Sequence, residues 1–270
     1  MQMLILNLAA LAALTAFVAV AFTTSSVAPA QPARLWLVLL VALAGTGAVV
    51  WVDFDAGWRV GFAPALWLTI IVTLAFFGLG TLKCPALARL APMLAPYLLI
   101  LGVIATIWAQ ALGQAQTGSA TTAWLGLHIV VSVSTYALFT LAAVAGGAVF
   151  IQERALKARR PTRLTGLLPA IAEAENLQRV LMSLAAAVLG LGLVSGMVIE
   201  YLETSRLMAI NHKTVFALVA FAVIVVLIAI ERASGLAGRR AARALLVAYL
   251  FLTLAYPGVK FVTDVIIAGR

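Results

Sequence analysis

Runs of about 20 apolar residues, parted by short polar stretches, recur along the whole chain. The hydrocarbon core of a bilayer is about 30 Å thick, and a helix rising about 1.5 Å per residue crosses it in about 20 residues. Backbone polar groups find no partner in lipid, so each such run must close its own hydrogen bonds as a helix. A soluble fold would need more polar surface than this chain has: 64% of its 270 residues are hydrophobic and 10% are charged. The pattern predicts an all-α, polytopic membrane protein with eight transmembrane helices, at about 3–22, 34–52, 63–81, 89–108, 121–152, 178–201, 213–231 and 243–267. No internal repeat or low-complexity tract divides it, so residues 1–270 are expected to form a single integral-membrane domain.

The first run could be taken for a signal peptide, because Ala28–Ala30 offers a small-residue cleavage pattern. Residues 1–20 carry no positive charge and the run is long for such a peptide, so it is read as a span. Lys and Arg set the expected orientation. Arg154, Lys157, Arg159, Arg160, Arg163 and Arg179 surround the loop after the fifth span, and Arg232, Arg239, Arg240 and Arg243 the loop after the seventh. Arg34, Lys83 and Arg89 fall in loops of the same parity, so all are assigned to the cytoplasm and both termini to the outer, periplasmic side. Segment 161–175 has room for a short cytoplasmic interfacial helix. The same bias accounts for the net charge of +9, and no basic groove interleaved with aromatics points to nucleic acid. Cys84 is the only cysteine, which excludes an internal disulfide or a thiolate cluster.

Against this apolar background, the polar residues inside spans stand out. His128 lies in "WLGLHIVVSVSTYALFT", with Trp124, Ser132 and Thr135 at i−4, i+4 and i+7, on one helical stripe. The other histidine, His212, opens the seventh span in "INHKTVF". Lys260 and Asp264 are four apart near the end of the eighth span, above Pro257 and Gly258, which should kink that helix. Glu200, Glu203, Arg206 and Lys213 line the same expected rim. Ionisable groups in a membrane normally face the bundle interior, where they are functional candidates. The competing reading makes each histidine a structural imidazole bonded to a neighbouring helix.

Neutral imidazole is a good ligand for iron, zinc or copper. Two histidines without cysteine or nearby carboxylates are too few for structural zinc, but they would complete the axial ligation of a haem iron. Haem is flat, apolar in its body and anionic at its propionates. Trp124 would suit its face, and Lys213, Lys260 or Arg206 its carboxylates.

Two segments carry a family resemblance. "WLGLHIVVSVSTYALFTLAAVAGGAVFIQERALK" is similar to the histidine-bearing span of cytochrome c assembly membrane proteins of the CcsA type. "LAGRRAARALLVAYLFLTLAYPGVKFV" resembles the segment of the same family with a Gly-Arg-Arg turn and a late Gly-Val. The nearest likeness is to the shorter eight-span, YpjD-type branch of bacterial inner-membrane proteins, over about residues 60–267. The resemblance implies haem handling near the outer leaflet, with non-covalent b-type haem held between histidines. His128 matches the first family histidine, and His212 stands where a tryptophan-rich loop would be. Metal ligands would then be His128 and His212, with Trp124, Lys213 and Lys260 as further cofactor-binding residues. Partners would be membrane lipid and other cytochrome assembly proteins or an apocytochrome.

The chain departs from the haem-attaching members. Its six tryptophans, at 36, 51, 58, 67, 108 and 124, include none between the sixth and seventh spans. No Ser/His/Asp set, paired carboxylates or phosphate-cradling glycine loop is present either, so an accessory role is expected rather than an enzyme. Gly146–Gly147 reads as a close helix contact. Two other readings stay open: a small-solute or ion transporter using the Lys260, Asp264 and Pro257–Gly258 region, and a membrane scaffold using its basic loops.

Overall fold

The computed structural model describes residues 2–23, 32–55, 59–109, 114–115, 122–205, 212–234 and 239–253. The helices are α1 (Gln2–Thr23), α2 (Pro32–Asp55), α3 (Phe62–Lys83), α4 (Pro85–Ala88), α5 (Ala91–Ile107), α6 (Thr122–Ala158), α7 (Arg163–Leu167), α8 (Ile171–Thr204), α9 (His212–Ser234) and α10 (Arg239–Thr253). The all-α expectation meets one small exception. A two-residue antiparallel pair joins β1 (Arg59–Val60) to β2 (Gln114–Ala115) and ties the approach to α3 to the exit from α5.

Among the described residues five helices are long and apolar enough to cross a membrane: Gln2–Thr23, Ala33–Asp55, Phe62–Lys83, Trp124–Ala158 and Ile171–Leu202. This corrects the expected eight. The fourth expected span, 89–108, is shortened from its start: Pro85 opens the separate turn α4, and α5 runs only from Ala91 to Ile107, with Pro92 in its first turn. Its 17 residues extend about 26 Å at 1.5 Å per residue, short of the bilayer core. The apolar part of α9 is equally short, Thr214–Ile230. The described part of the eighth run, α10, has 15 residues and begins with Arg239 and Arg240, with Arg243 one turn on. With five such helices among the described residues, the count of eight that put both termini on one outer side no longer holds.

The helices form two groups. In the first, α1 packs on α2 and α5, and α3 on α2 and α5. In the second, α6 runs along α8 and α10, while α9 packs on α8 and α10. Contacts of α3 and α5 with α6 join the groups. Small residues bring the axes together where lipid gives no hydrophobic drive. At Gly102 of α5, an added Cβ would sit 3.0 Å from Leu14 and 3.1 Å from Leu11 of α1, and 3.4 Å from Trp67 of α3.

At one end of the bundle α6, α7 and α8 make a firm turn. Arg159 takes φ 51°, and its amide donates to the Leu156 carbonyl while that of Arg160 donates to Ala155, both at 3.1 Å. This is a Schellman closure, whose left-handed residue is usually glycine; a side chain there costs about 1–2 kcal/mol. Thr162 and Thr165 then cap α7 reciprocally. Gln152 Nε2 donates to the Thr165 carbonyl at 2.9 Å and the Pro169 carbonyl at 3.1 Å. Segment 161–175 holds the five-residue α7 and, after Leu168, Pro169 and Ala170, the first residues of α8. Arg89 reaches across from the α4–α5 turn to Glu173 (3.2 Å) and to the Leu168 carbonyl (2.9 Å).

Candidate functional site

The opposite end of α6 carries His128, six residues after its first residue and so about 9 Å along the axis. Its ring faces α8. Nδ1 lies 2.7 Å from the hydroxyl of Ser195, which is buried at 7% exposure. The same hydroxyl donates to the Gly192 carbonyl at 2.9 Å. A hydroxyl has one proton, and a carbonyl can only accept, so the serine oxygen must accept from the histidine. The imidazole proton is therefore on Nδ1, and Nε2 keeps its lone pair. The contact from Nε2 to Ser132 Oγ is long, 3.5 Å. Gly196 makes the approach possible: a Cβ there would stand 3.1 Å from the ring's Cε1.

Trp124 lies one turn nearer the end of α6. Its indole Nε1 donates to the Ser195 carbonyl at 3.3 Å, so both stripe residues hold the same serine. Thr135, placed on the stripe by periodicity, donates instead to the Val131 carbonyl of its own helix.

The other sequence-derived residues are not brought to this contact. His212 and Lys213 open α9, and nothing of their side chains is described. Gly190 of α8 lies against Phe221 of α9, and the seven residues between Thr204 and His212 reach at most about 25 Å, too little for a parallel return along α8, so the two helices run antiparallel and the His212 backbone stands at the His128 end. Counting from that contact, His212 is about one turn, or about 6 Å, nearer the helix end than Ser195. Arg206, Pro257, Gly258, Lys260 and Asp264 lie outside the described residues. Among the described residues no group of three or more His, Cys, Asp or Glu side chains forms a metal-holding cluster.

Residues 3–267 match the family described as cytochrome C assembly protein. The chain belongs to that family. A relative in Azospirillum brasilense, an uncharacterized 28.8 kDa protein in the nifR3-like 5′ region, is 45% identical over 240 residues, covering 89% of each chain. No solved structure matches. With its apolar helices, this family member is a multi-pass membrane protein.

Sequence reasoning missed both Ser195 and Gly196. A serine-glycine pair inside the apolar run "LGLVSGMVIE" was the available signal. It also missed a hydroxyl network two turns further along α6. The Tyr97 hydroxyl meets that of Tyr249 at 2.6 Å, and Tyr249 meets Thr140 Oγ1 at 2.8 Å. Thr140 already donates to the Tyr136 carbonyl at 2.9 Å, so it accepts from Tyr249, which in turn accepts from Tyr97. Tyr136 donates to Thr253 Oγ1 at 3.3 Å, because Thr253 gives its own proton to the Tyr249 carbonyl. This directed chain ties α5, α6 and α10 together. Tyr136 and Thr140 continue the four-residue spacing of Trp124, His128 and Ser132, but each step of four turns about 40° around the helix, so they face other partners.

Proposed function

We propose that this protein is a haem-handling member of its family, of the short YpjD type and in the inner membrane. It holds non-covalent haem near the membrane face at which α6 begins. The observation that supports this reading is the imidazole of His128, whose Nδ1–H is committed to Ser195 while Nε2 keeps its lone pair, with Ser132 Oγ at a long 3.5 Å. A histidine with one nitrogen anchored and the other available is the usual state of an iron-ligating side chain.

When bound, haem would supply an iron that imidazole nitrogens ligate. His128 would be one such ligand, and His212, which opens α9 at the same end, a second. Trp124 would lie against the porphyrin face, with Lys213 and Lys260 toward the propionates. Ser195 orients the His128 ring and fixes its tautomer, and Gly196 leaves it room. These roles are for binding and handing on; the family membership points to cytochrome assembly proteins or an apocytochrome as partners.

The test is an absorption spectrum of the detergent-purified protein, oxidised and reduced. A Soret band is expected, low-spin if both imidazoles bind, and lost in His128→Ala. Ser195→Ala should keep haem but with at least tenfold weaker retention, in line with the loss of an outer-shell partner. An undiminished haem complement in His128→Ala would defeat the assignment of the ligand.

A further inference from the structure

We propose that the turn between α6 and α7 is a binding site for the headgroup of one anionic phospholipid. Arg159, Arg160 and Arg163 lie within five positions and all three are exposed. Among the described residues none of the three forms an ion pair with a carboxylate; Glu173, at the same end, pairs with Arg89.

Three observations point to a ligand. The position of Arg159 has the left-handed backbone that favours glycine, yet it carries a guanidinium. A charged side chain at a place where its backbone is disfavoured marks a functional constraint. The segment that follows the turn is also held in place: Gln152 of α6 donates to the carbonyls of Thr165 in α7 and of Pro169 just after it, Thr162 and Thr165 cap each other, and Leu168 is buried at 1% exposure. The cations are thus presented in a fixed arrangement, which lowers the ordering cost of binding.

The third observation selects a lipid over an acidic protein. Leu156, in the last turn of α6 and three residues before Arg159, is 70% exposed. Apolar surface next to a cluster of guanidinium groups, at the end of a membrane-spanning helix, matches an acyl chain joined to a phosphodiester. Arginine suits that group because its planar fork gives two parallel hydrogen bonds to phosphate oxygens. Basic pockets at the ends of transmembrane helices bind anionic headgroups in this way. The inference does not depend on haem.

The experiment uses the full chain in detergent, with native mass spectrometry of bound dioleoyl phosphatidylglycerol against dioleoyl phosphatidylcholine. Wild type should retain one phosphatidylglycerol preferentially. Each arginine removed should weaken retention roughly fivefold at low salt. Arg159→Gly is the informative single variant, since it removes the charge while placing at the left-handed position the residue that such a backbone favours. The triple variant Arg159→Gly, Arg160→Gln, Arg163→Gln should bind the two lipids equally. Lys83→Gln, at the same end of the bundle but on α3, should keep the preference. An equal loss in Lys83→Gln, full retention in the triple variant, or no preference in wild type would overturn the site. Competition by millimolar inorganic phosphate as effective as that by phosphatidylglycerol would also overturn it, because the acyl contact at Leu156 would then contribute nothing. Selective co-purification of an acidic protein in place of lipid would do the same.

Discussion

In α1, α2, α3 and α5 the threonine hydroxyls turn back onto their own helices, whereas in α6, α8 and α10 hydroxyl oxygens also join one helix to another. Thr46, Thr69, Thr73 and Thr106 each donate to the carbonyl four residues earlier. Ser195, Thr140 and Thr253 make the same kind of local bond, and each then accepts from a side chain of a neighbouring helix. The first group packs chiefly by shape: Phe17 meets Phe77 edge-on at 6.0 Å, and Gly102 admits Leu11, Leu14 and Trp67. The second group adds directional contacts that fix the rotation of each helix. Apolar packing without polar contacts tolerates small rotations; a histidine that must present one nitrogen does not. The site is therefore on the side of the molecule where hydrogen bonds set the orientation.

The largest effect should come from volume in the first group. Phe77→Ala is expected to destabilise by about 3–5 kcal/mol, because the fully buried ring leaves a cavity between α1 and α3. Denaturant unfolding in mixed micelles measures it, and a loss under about 1 kcal/mol would end the claim that apolar packing dominates this half. Next come the tyrosines. Tyr97→Phe and Tyr249→Phe should each cost about 0.6–1.7 kcal/mol, and the double variant should cost less than their sum, because both belong to one hydroxyl chain. Strict additivity in that cycle would mean the chain is not a unit. The smallest effect is expected at Thr73→Val, within about 0.5 kcal/mol, since its hydroxyl serves only its own helix. A cost as large as that of Tyr249→Phe would erase the contrast between the halves.

Much of this was legible in the chain. The apolar runs announced helices and a membrane because their length and composition leave the backbone no other way to satisfy its polar groups. Trp124, His128 and Ser132 could be put on one stripe because helical periodicity is a property of the local sequence. The count of spans was not legible. Hydropathy registers where apolar residues lie, but Pro85 and Pro92 decided where α5 begins, and that shortening follows from backbone geometry. The partner of Thr135 was not legible either, since its choice between a neighbour and its own helix's carbonyl depends on what stands opposite.

By itself, then, the sequence determined the helical class, the basic turn at Arg159–Arg163 and the isolation of an imidazole in an apolar helix. Only the tertiary structure decided that Ser195 and Gly196 lie against that imidazole, and that three tyrosine hydroxyls far apart in the chain converge. The physical reason is one of range. Helix formation and periodicity depend on neighbours within about four residues, whereas the partner of a buried donor is chosen by how helices pack, 67 residues away for His128 and 152 for Tyr97.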